Sequence, residues 1–303
     1  MIFHQYLQHV FKKNGIRQIE LLSQLQSSHS IFSGLDAITL SRWCNNKTTP
    51  SYKKQLLISK HFERDLSYFI QHIDHPKITK VFLKTYDTLF NKLETSYARI
   101  GYLSIDNGPA TLSMLNLTTE THRKLFGVFY KHMEAYRFIY SKLDQNNVIS
   151  QNCVFTIKQG VQIVSHLGFV KDMTTFSRYF KKKLPTQPTA NSIVINVGHF
   201  SCRNYFESLI GHLFNHLVDS YWDIEECYVA TRRADFLTFW EQMGGTQLLS
   251  VQESRFVGNV YIVQFNLKQL LASPFIFLQI QRTYLSYLKL KQHLTIPILV
   301  PCE

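Results

Sequence analysis

The chain has 303 residues, of which 45% are hydrophobic and 14% aromatic, so a disordered polypeptide is excluded and two domains with hydrophobic cores are expected. Its formal net charge of +12 favours an anionic partner, with nucleic acid ahead of a membrane surface. The five cysteines are scattered without CxxC spacing, no signal-peptide pattern is present, and no apolar run is long enough to cross a bilayer. We therefore expect a cytoplasmic protein with reduced thiols and no membrane partner.

The first third of the chain shows the apolar spacing of short helices. This spacing predicts helices over residues 3–13, 16–26 and 52–62, the last with outward-facing lysines. Between them, Asp36 is predicted to cap a helix whose inward side chains are Leu40 and Trp43. Asn46 suits the left-handed backbone that ends a helix, and Ser51 can cap the next one.

The segment Leu40-Ser41-Arg42-Trp43, followed by residues 44–51, resembles the recognition helix and turn of Xre-type, lambda-repressor-like helix-turn-helix regulators. Cys44 stands where the family usually has Glu, Asn46 where it has Gly, and the connection over residues 26–34 is longer than usual. The resemblance implies that this helix reads base edges in the major groove while the turn holds phosphates. The alternative is a solvated helix and loop in an ordinary globular domain. The groove-facing residues would be Asp36, Ala37, Thr39, Ser41 and Arg42, and the phosphate-binding residues Asn45, Lys47, Thr48, Lys53 and Lys54.

Beyond the helical region the pattern changes to alternating strands and helices. A helix over Ile78 to Leu93 has one broad apolar face, and a longer helix is predicted over 118–143. Apolar, β-branched runs predict strands over residues 100–105, 153–158, 161–164, 192–197, 226–231 and 260–265. The fold class is therefore multidomain, an N-terminal all-α helix-turn-helix domain followed by a mixed α/β domain. Its predicted parts are a DNA-binding domain over residues 1–75, a linker or dimerisation helix over 76–99, and an α/β domain over 100–303.

The order strand 192–197, helix 205–219, strand 226–231 and helix 234–243 is similar to the second half of the GNAT acyltransferase fold. Ala234 to Gly245 (ADFLTFWEQMGG) resembles that family's Ala-x-x-(x)-Phe-Tyr-x-x-x-Gly-Phe segment. The resemblance implies that backbone amides after the fourth strand, and the start of the next helix, hold the pyrophosphate of an acyl-CoA. Candidate ligand-binding residues are Arg203, Asn204, Tyr205, Tyr228 and Trp240.

Two departures from the acyltransferase pattern argue against catalysis. If Arg203 takes the first position of the phosphate loop, Phe206 and Ser208 stand where small residues are usual. Trp240 replaces the Tyr that protonates the leaving thiolate in many members, and an indole N–H is no acid near neutral pH. We therefore expect a degenerate domain that senses a small ligand or dimerises, and no catalytic residues.

Other kinds of site have weaker signals. His212 and His216 are spaced to share a metal on one helix face, but the third ligand is missing, and no Gly-x-Ser-x-Gly elbow or P-loop is present. We expect no metal and no resident cofactor. The predicted function is a sequence-specific DNA-binding transcriptional regulator that binds palindromic double-stranded DNA as a homodimer. The alternative is an acyl-CoA-dependent N-acyltransferase with a helix-turn-helix appendage.

Overall fold

Short amphipathic helices form the start of the chain. The structure is a computed structural model that describes residues 1–63, 66–95, 108–130, 133–145, 151–171, 189, 191–254 and 258–298. The first five helices and one 3-10 turn are α1 (Phe3–Asn14), α2 (Gln18–Ser28), the turn Ser30–Phe32, α3 (Ala37–Cys44), α4 (Tyr52–Phe62) and α5 (Ser67–His72).

The ends of α3 and α4 follow the predicted capping chemistry. The Asp36 carboxylate accepts a hydrogen bond from the Thr39 amide at 2.6 Å, and the Ser51 hydroxyl accepts one from the Lys54 amide at 3.4 Å. Asn46 has a φ of 55°, the left-handed conformation that ends a helix. These local predictions are confirmed.

The helical region shares one hydrophobic core with the rest of the chain. Helix α6 (Lys80–Thr95) follows, and the longest helix is α12 (Pro274–His293). Phe277 of α12 lies 5.5 Å from Tyr52 and 5.8 Å from Phe69, measured between ring centroids. The Gln281 side-chain amide donates hydrogen bonds to the carbonyls of Ile70 and Ile73 at 3.0 and 2.8 Å. The two regions are therefore packed together rather than connected only by α6.

A single mixed sheet organises the second region. Its strands are β1 (Ala110–Thr118), β2 (Gln151–Gln159), β3 (Gln162–Val170), β4 (Ser192–His199), β5 (Glu226–Thr231), β6 (Thr246–Ser254), β7 (Gly258–Asn266) and β8 (Thr295–Pro297). Their spatial order is β6-β7-β5-β4-β3-β2-β1-β8. The pair β4–β5 is parallel, and the other described pairs are antiparallel. A mixed α/β domain is therefore confirmed.

Helices cover both faces of this sheet. Helices α7 (Thr119–Tyr130) and α8 (Glu134–Gln145) lie on one face, and α9 (Arg203–Ser220) packs with α12 on the other. Helices α10 (Ala234–Gln242) and α11 (Leu267–Leu271) complete the described set. Helices α9 and α12 cross closely at Gly211, where an added Cβ would stand 2.7 Å from the Gln279 carbonyl oxygen.

Several predicted boundaries differ from the structure. The prediction of one helix over residues 118–143 is wrong, because α7 ends at Tyr130 and α8 begins at Glu134. Strand β1 over 110–118 is absent from the sequence-based prediction, although its alternating apolar and polar residues are the pattern of a half-buried strand. The strand predicted over 100–105 lies outside the described residues.

Candidate active site

The parallel strands β4 and β5 separate at their carboxyl ends. Their described ladder pairs Ser192 with Glu226 through Ile195 with Val229 and ends there, although β4 runs on to His199 and β5 to Thr231. The pairing of β4 with β3 also shifts, because Gly168 opposes Val197 while Phe169 opposes Ile195. An extra residue of this kind bends a strand. The result is an opening between two parallel strands, at the edge where α9 and α10 begin.

The segment between β4 and α9 is held by β3. The Ser165 hydroxyl accepts a hydrogen bond from the Ser201 amide at 2.9 Å and lies 3.1 Å from the Ser201 hydroxyl. One backbone amide between the fourth strand and α9 is therefore already used. Cys202, at the N-cap of α9, is disulfide-bonded, so the expectation of reduced thiols fails here; Cys44, Cys153 and Cys227 are free thiols.

Helix α6 packs across the start of α9. Arg203 forms an ion pair of 2.9 Å with Asp87, and its guanidinium carbon lies 4.9 Å from the centre of the Tyr86 ring. The Tyr86 hydroxyl donates a hydrogen bond of 2.9 Å to Glu207. Phe206 is fully buried, 5.0 Å from the ring centre of Phe90. Arg203 therefore anchors α6, and Phe206 belongs to an aromatic core instead of lining an anion site.

The predicted ligand-binding residues are not brought into one site. Arg203, Asn204 and Tyr205 form the first turn of α9, a helix that packs with α12. Tyr228 belongs to a separate small core with Val194 and donates a hydrogen bond to Glu226 at 3.0 Å. That burial and the neighbouring carboxylate raise the pKa of Tyr228. Trp240 is buried, 5.8 Å from the Phe265 ring. Tyr228 and Trp240 are therefore core residues here.

A row of polar side chains crosses the other face of the sheet at the end of β4. Thr156 on β2 is opposite His166 on β3, and His166 is opposite His199 on β4. Residues directly opposite in a ladder point to the same face. The His166 and His199 rings are 5.9 Å apart, and the row is covered by Phe126 and Phe129 of α7. His199 thus lies at the end of the strand that separates from β5.

Tyrosines of α7 and α8 hold two of the nearby histidines. The Tyr130 hydroxyl contacts His166 Nε2, and the Tyr140 hydroxyl lies 2.8 Å from His122 Nδ1. Within the part of the chain that the structure describes, His166 Nδ1, His122 Nε2 and Thr156 Oγ1 are buried without a hydrogen-bond partner. Buried polar atoms without protein partners mark places where water or a polar ligand binds.

Burial keeps these imidazoles uncharged. It lowers the pKa of His122 and of His199 to about 4, and it lowers the pKa of His166 well below the ordinary value. A neutral imidazole carries one lone pair that can accept a proton. His199 is less buried than His166, so it is the histidine of this row that a substrate can approach. The geometry places an uncharged imidazole beside the separated ends of β4 and β5.

Sequence reasoning missed these histidines. It singled out His212 and His216, which hold α9 against α12: His212 lies 2.9 Å from the Ser286 hydroxyl, and His216 lies 3.3 Å from the Tyr287 hydroxyl. Among the described residues no group could hold a metal ion. The available signal was a histidine inside each of two β-branched, apolar segments, at His166 and His199.

The predicted DNA-binding residues divide between solvent and the protein interior. Ala37 and Arg42 are exposed on α3, but the Asp36 carboxylate caps the helix and the Asn45 amide donates to the Ser41 carbonyl at 2.9 Å. On α4, which contacts α11, Lys53 is half-buried. Burial lowers the pKa of Lys268, and the nearby charge of Lys53 adds a smaller effect of the same sign. Most of the predicted DNA-binding residues are exposed or partly exposed: Asp36, Ala37, Thr39, Ser41, Arg42, Asn45, Lys47 and Thr48. Lys53 and Lys54 are half-buried, and the Lys54 ammonium lies 5.8 Å from the centre of the Trp43 ring.

Comparison with known proteins finds likeness only at the level of structure. No protein-family profile matches the chain, and no curated protein matches it in sequence. A spermidine N-acetyltransferase from Vibrio cholerae is similar over 53% of this chain and 96% of its own, with 9% identity and a TM-score of 0.33. An acetyltransferase from Thermus thermophilus is similar over 51% of this chain and 96% of its own, with 11% identity and a TM-score of 0.31. The CoA-dependent acyl-homoserine lactone synthase MesI is similar over 56% of this chain and 94% of its own, with 16% identity and a TM-score of 0.30.

The likeness to these three structures extends over about half of this chain. The prediction of a sequence-specific DNA-binding transcriptional regulator of the Xre family is wrong. No family profile supports a helix-turn-helix domain, and part of the basic side of α4 faces protein. No helix in the described residues is long and apolar enough to cross a membrane.

Proposed function

We propose that this chain is an acyl-CoA-dependent N-acyltransferase whose N-terminal helices are packed onto the acyltransferase domain. The observation that carries the proposal is the separation of β4 from β5 after four ladder pairs, with His199 at the end of β4. After Ile195, the edge of β4 that faces β5 carries backbone N–H and C=O groups that are not part of the β4–β5 ladder. An extended arm that contains amides can pair with such an edge, as peptides do with exposed strands.

The described residues fit part of an acyl-CoA. The first turn of α9, at Arg203, Asn204 and Tyr205, lies at the carboxyl edge of the parallel strands, where a helix N-terminus favours phosphate. Ser201 is tied to Ser165, and the Arg203 side chain is paired with Asp87, so fewer groups are offered there than in the family pattern. The acyl-CoA would supply an activated thioester carbonyl.

His199 is the proposed general base. An amine attacks a carbonyl carbon through its lone pair, so it must lose a proton during the reaction. The imidazole of His199 is uncharged near pH 7 because burial lowers its pKa to about 4. His166, opposite it in the ladder, is a positioning residue, and Tyr130 orients the His166 ring. The leaving thiolate must take its proton from another group, since Trp240 cannot supply one.

Thiol release from acetyl-CoA and longer acyl-CoAs, measured with a panel of primary amines, tests this function. His199→Ala should lower kcat by roughly 10²–10⁴-fold, as expected for loss of a general base, while calorimetric binding of the acyl-CoA is retained. His293→Ala, at an exposed histidine on α12, is the matched control and should leave kcat unchanged. Absence of acyl-CoA binding to the wild-type chain would refute the proposal.

The predicted homodimer rested on binding to palindromic DNA, and that support no longer holds. A homodimer stays a prediction, which sedimentation of the purified chain can test.

A further inference from the structure

The polar row of the candidate site continues across the sheet to its β8 edge. Thr156 is opposite Ser113 on β1, and Ser113 is opposite Thr295 on β8. Because directly opposite residues of a ladder share a face, one row crosses the neighbouring strands β8, β1, β2, β3 and β4. Its members are Thr295, Ser113, Thr156, His166 and His199. The row therefore runs from an exposed threonine at the sheet edge to the half-buried His199 at the candidate active site.

Every member of this row carries a group that can both accept and release a proton. A hydroxyl has a donor and acceptor lone pairs, and a neutral imidazole has one N–H donor and one acceptor nitrogen. The hydroxyls of Ser113 and Thr295 already lie 3.0 Å apart. The Tyr130 hydroxyl contacts His166 Nε2, and with Tyr130 as the donor the neutral ring has its own proton on Nδ1.

The middle of the row contains two polar atoms that the described residues leave without hydrogen bonds. Both side chains, Thr156 and His166, are fully buried, and Thr156 Oγ1 and His166 Nδ1 have no hydrogen-bond partner. The Cβ atoms of opposite residues are about 4.5–5.5 Å apart, so one water can reach both atoms and the Ser113 hydroxyl. A buried water makes about two to four hydrogen bonds, and these three groups supply enough partners.

The proposed general base needs an exit for the proton that it takes from the amine. Burial lowers the pKa of His199 to about 4, so its imidazolium releases the proton near neutral pH. While the amine and the acyl-CoA cover His199, that proton needs a route that does not pass through the substrates. The ring centres of His199 and His166 are 5.9 Å apart, a gap that one water spans.

We propose that this row, with a buried water between Thr156 and His166, carries the proton from His199 to solvent at Thr295. Each imidazole and hydroxyl takes up one proton and releases one, so only N–H and O–H bonds form and break. No oxidant, reductant or further reactant is required. The purpose of the path rests on the proposed acyltransferase function, whereas the path itself can be tested without that activity.

Thr156→Val tests the path during turnover, because it keeps the shape of the side chain and removes the hydroxyl. It should lower kcat for thiol release roughly tenfold or more, with KM for the acyl-CoA and the amine unchanged. The solvent deuterium isotope effect on kcat should increase, which a merely structural loss does not cause. Thr246→Val, at an exposed threonine of β6 outside the row, should leave kcat and the isotope effect unchanged. An active wild type with an unaffected Thr156→Val variant overturns the path and leaves the acyltransferase function standing.

A second test needs no acyltransferase activity. In His199→Phe the row has no imidazole at its active-site end, so the Nδ1 proton of His166 should exchange with solvent through Thr156. NMR of the chain labelled with ¹⁵N-histidine measures this exchange. Adding Thr156→Val to His199→Phe should slow it roughly tenfold or more, and equal rates in the two variants overturn the path. Slowed exchange together with a wild type that releases no thiol refutes the acyltransferase function and supports the path.

Discussion

The two faces of the sheet around β4 differ in what they bury. On the face covered by α9 and α12, the side chains between helix and sheet are predominantly aromatic and aliphatic, and Phe206 contacts rings from α6, α10 and α12. On the face covered by α7, the strands present Thr156, His166 and His199 in one row. Thr156 Oγ1 and His166 Nδ1 are buried without a hydrogen-bond partner among the described residues, and such atoms lower stability. The first face holds the fold together, and the second is where we propose a site.

The largest expected effect is on the apolar face. Phe206→Ala should lower the free energy of unfolding by about 3–5 kcal/mol, because a fully buried ring is replaced by a cavity among packed aromatics. Urea denaturation measures the change. The matched control is Phe138→Ala on α8, where the side chain is 50% exposed and a loss below about 1 kcal/mol is expected. Equal losses for the two variants would mean that α6 does not form the predicted core.

On the polar face the expected loss of stability is smaller. It depends on whether one partner or both partners of the Tyr130–His166 contact are removed. His166→Leu leaves the Tyr130 hydroxyl without His166 and should cost about 1–3 kcal/mol. The double variant Tyr130→Phe/His166→Leu removes both partners and should recover most of that loss, while thiol release stays low. Denaturation and acyltransfer assays of the two variants check this. Equal activity of the double variant and the wild type would show that the polar row has no role in the reaction.

The polar face should also make stability depend on pH. Burial lowers the folded-state pKa of His122 and His199 to about 4, so the unfolded chain binds more protons below about pH 6.5. Stability is therefore fully present above about pH 6.5 and is lost as pH falls towards 4, by up to about 1.4 kcal/mol per pH unit for each group. Denaturation at a series of values from about pH 7.5 down to about pH 4.5 measures the slope. His122→Phe should make it shallower, and an unchanged slope would contradict burial of this imidazole in the neutral form.

The smallest effect is expected at the rim of the apolar face. Asp87→Ala removes the ion pair with Arg203 between two partly exposed side chains and should change the free energy of unfolding by less than about 1 kcal/mol. Acyl-CoA binding should be retained or improved, because Arg203 is released beside the first turn of α9. Calorimetry of this variant against wild type shows whether the ion pair restrains the site. A loss of binding would mean that Asp87 supports the site instead.

Much of the secondary structure could be predicted from local signals. Strand β5 was predicted with its observed ends, and the caps at Asp36 and Ser51 were correct, because these features depend on residues within one turn or one strand. The division into α7 and α8 was missed because the apolar spacing continues from one helix into the next. The recognition-helix interpretation failed for a related reason. A short capped helix with a basic turn has the same local chemistry whether it reads DNA or, as here, belongs to a helical region packed on another domain.

By itself, the sequence determined the alternation of helices and strands, the mixed α/β class and the acyltransferase-like order from β4 to β7. Each of these features follows from the spacing of hydrophobic residues and from turn residues. Both signals are contained within a few neighbouring positions of the chain. Only the tertiary structure decided which side chains meet. The register across β2, β3 and β4 joins residues more than thirty positions apart, as the ladder partners His166 and His199 show. Strand separation and helix packing likewise depend on contacts that no local pattern specifies, and they moved the candidate site from α3 to the end of β4.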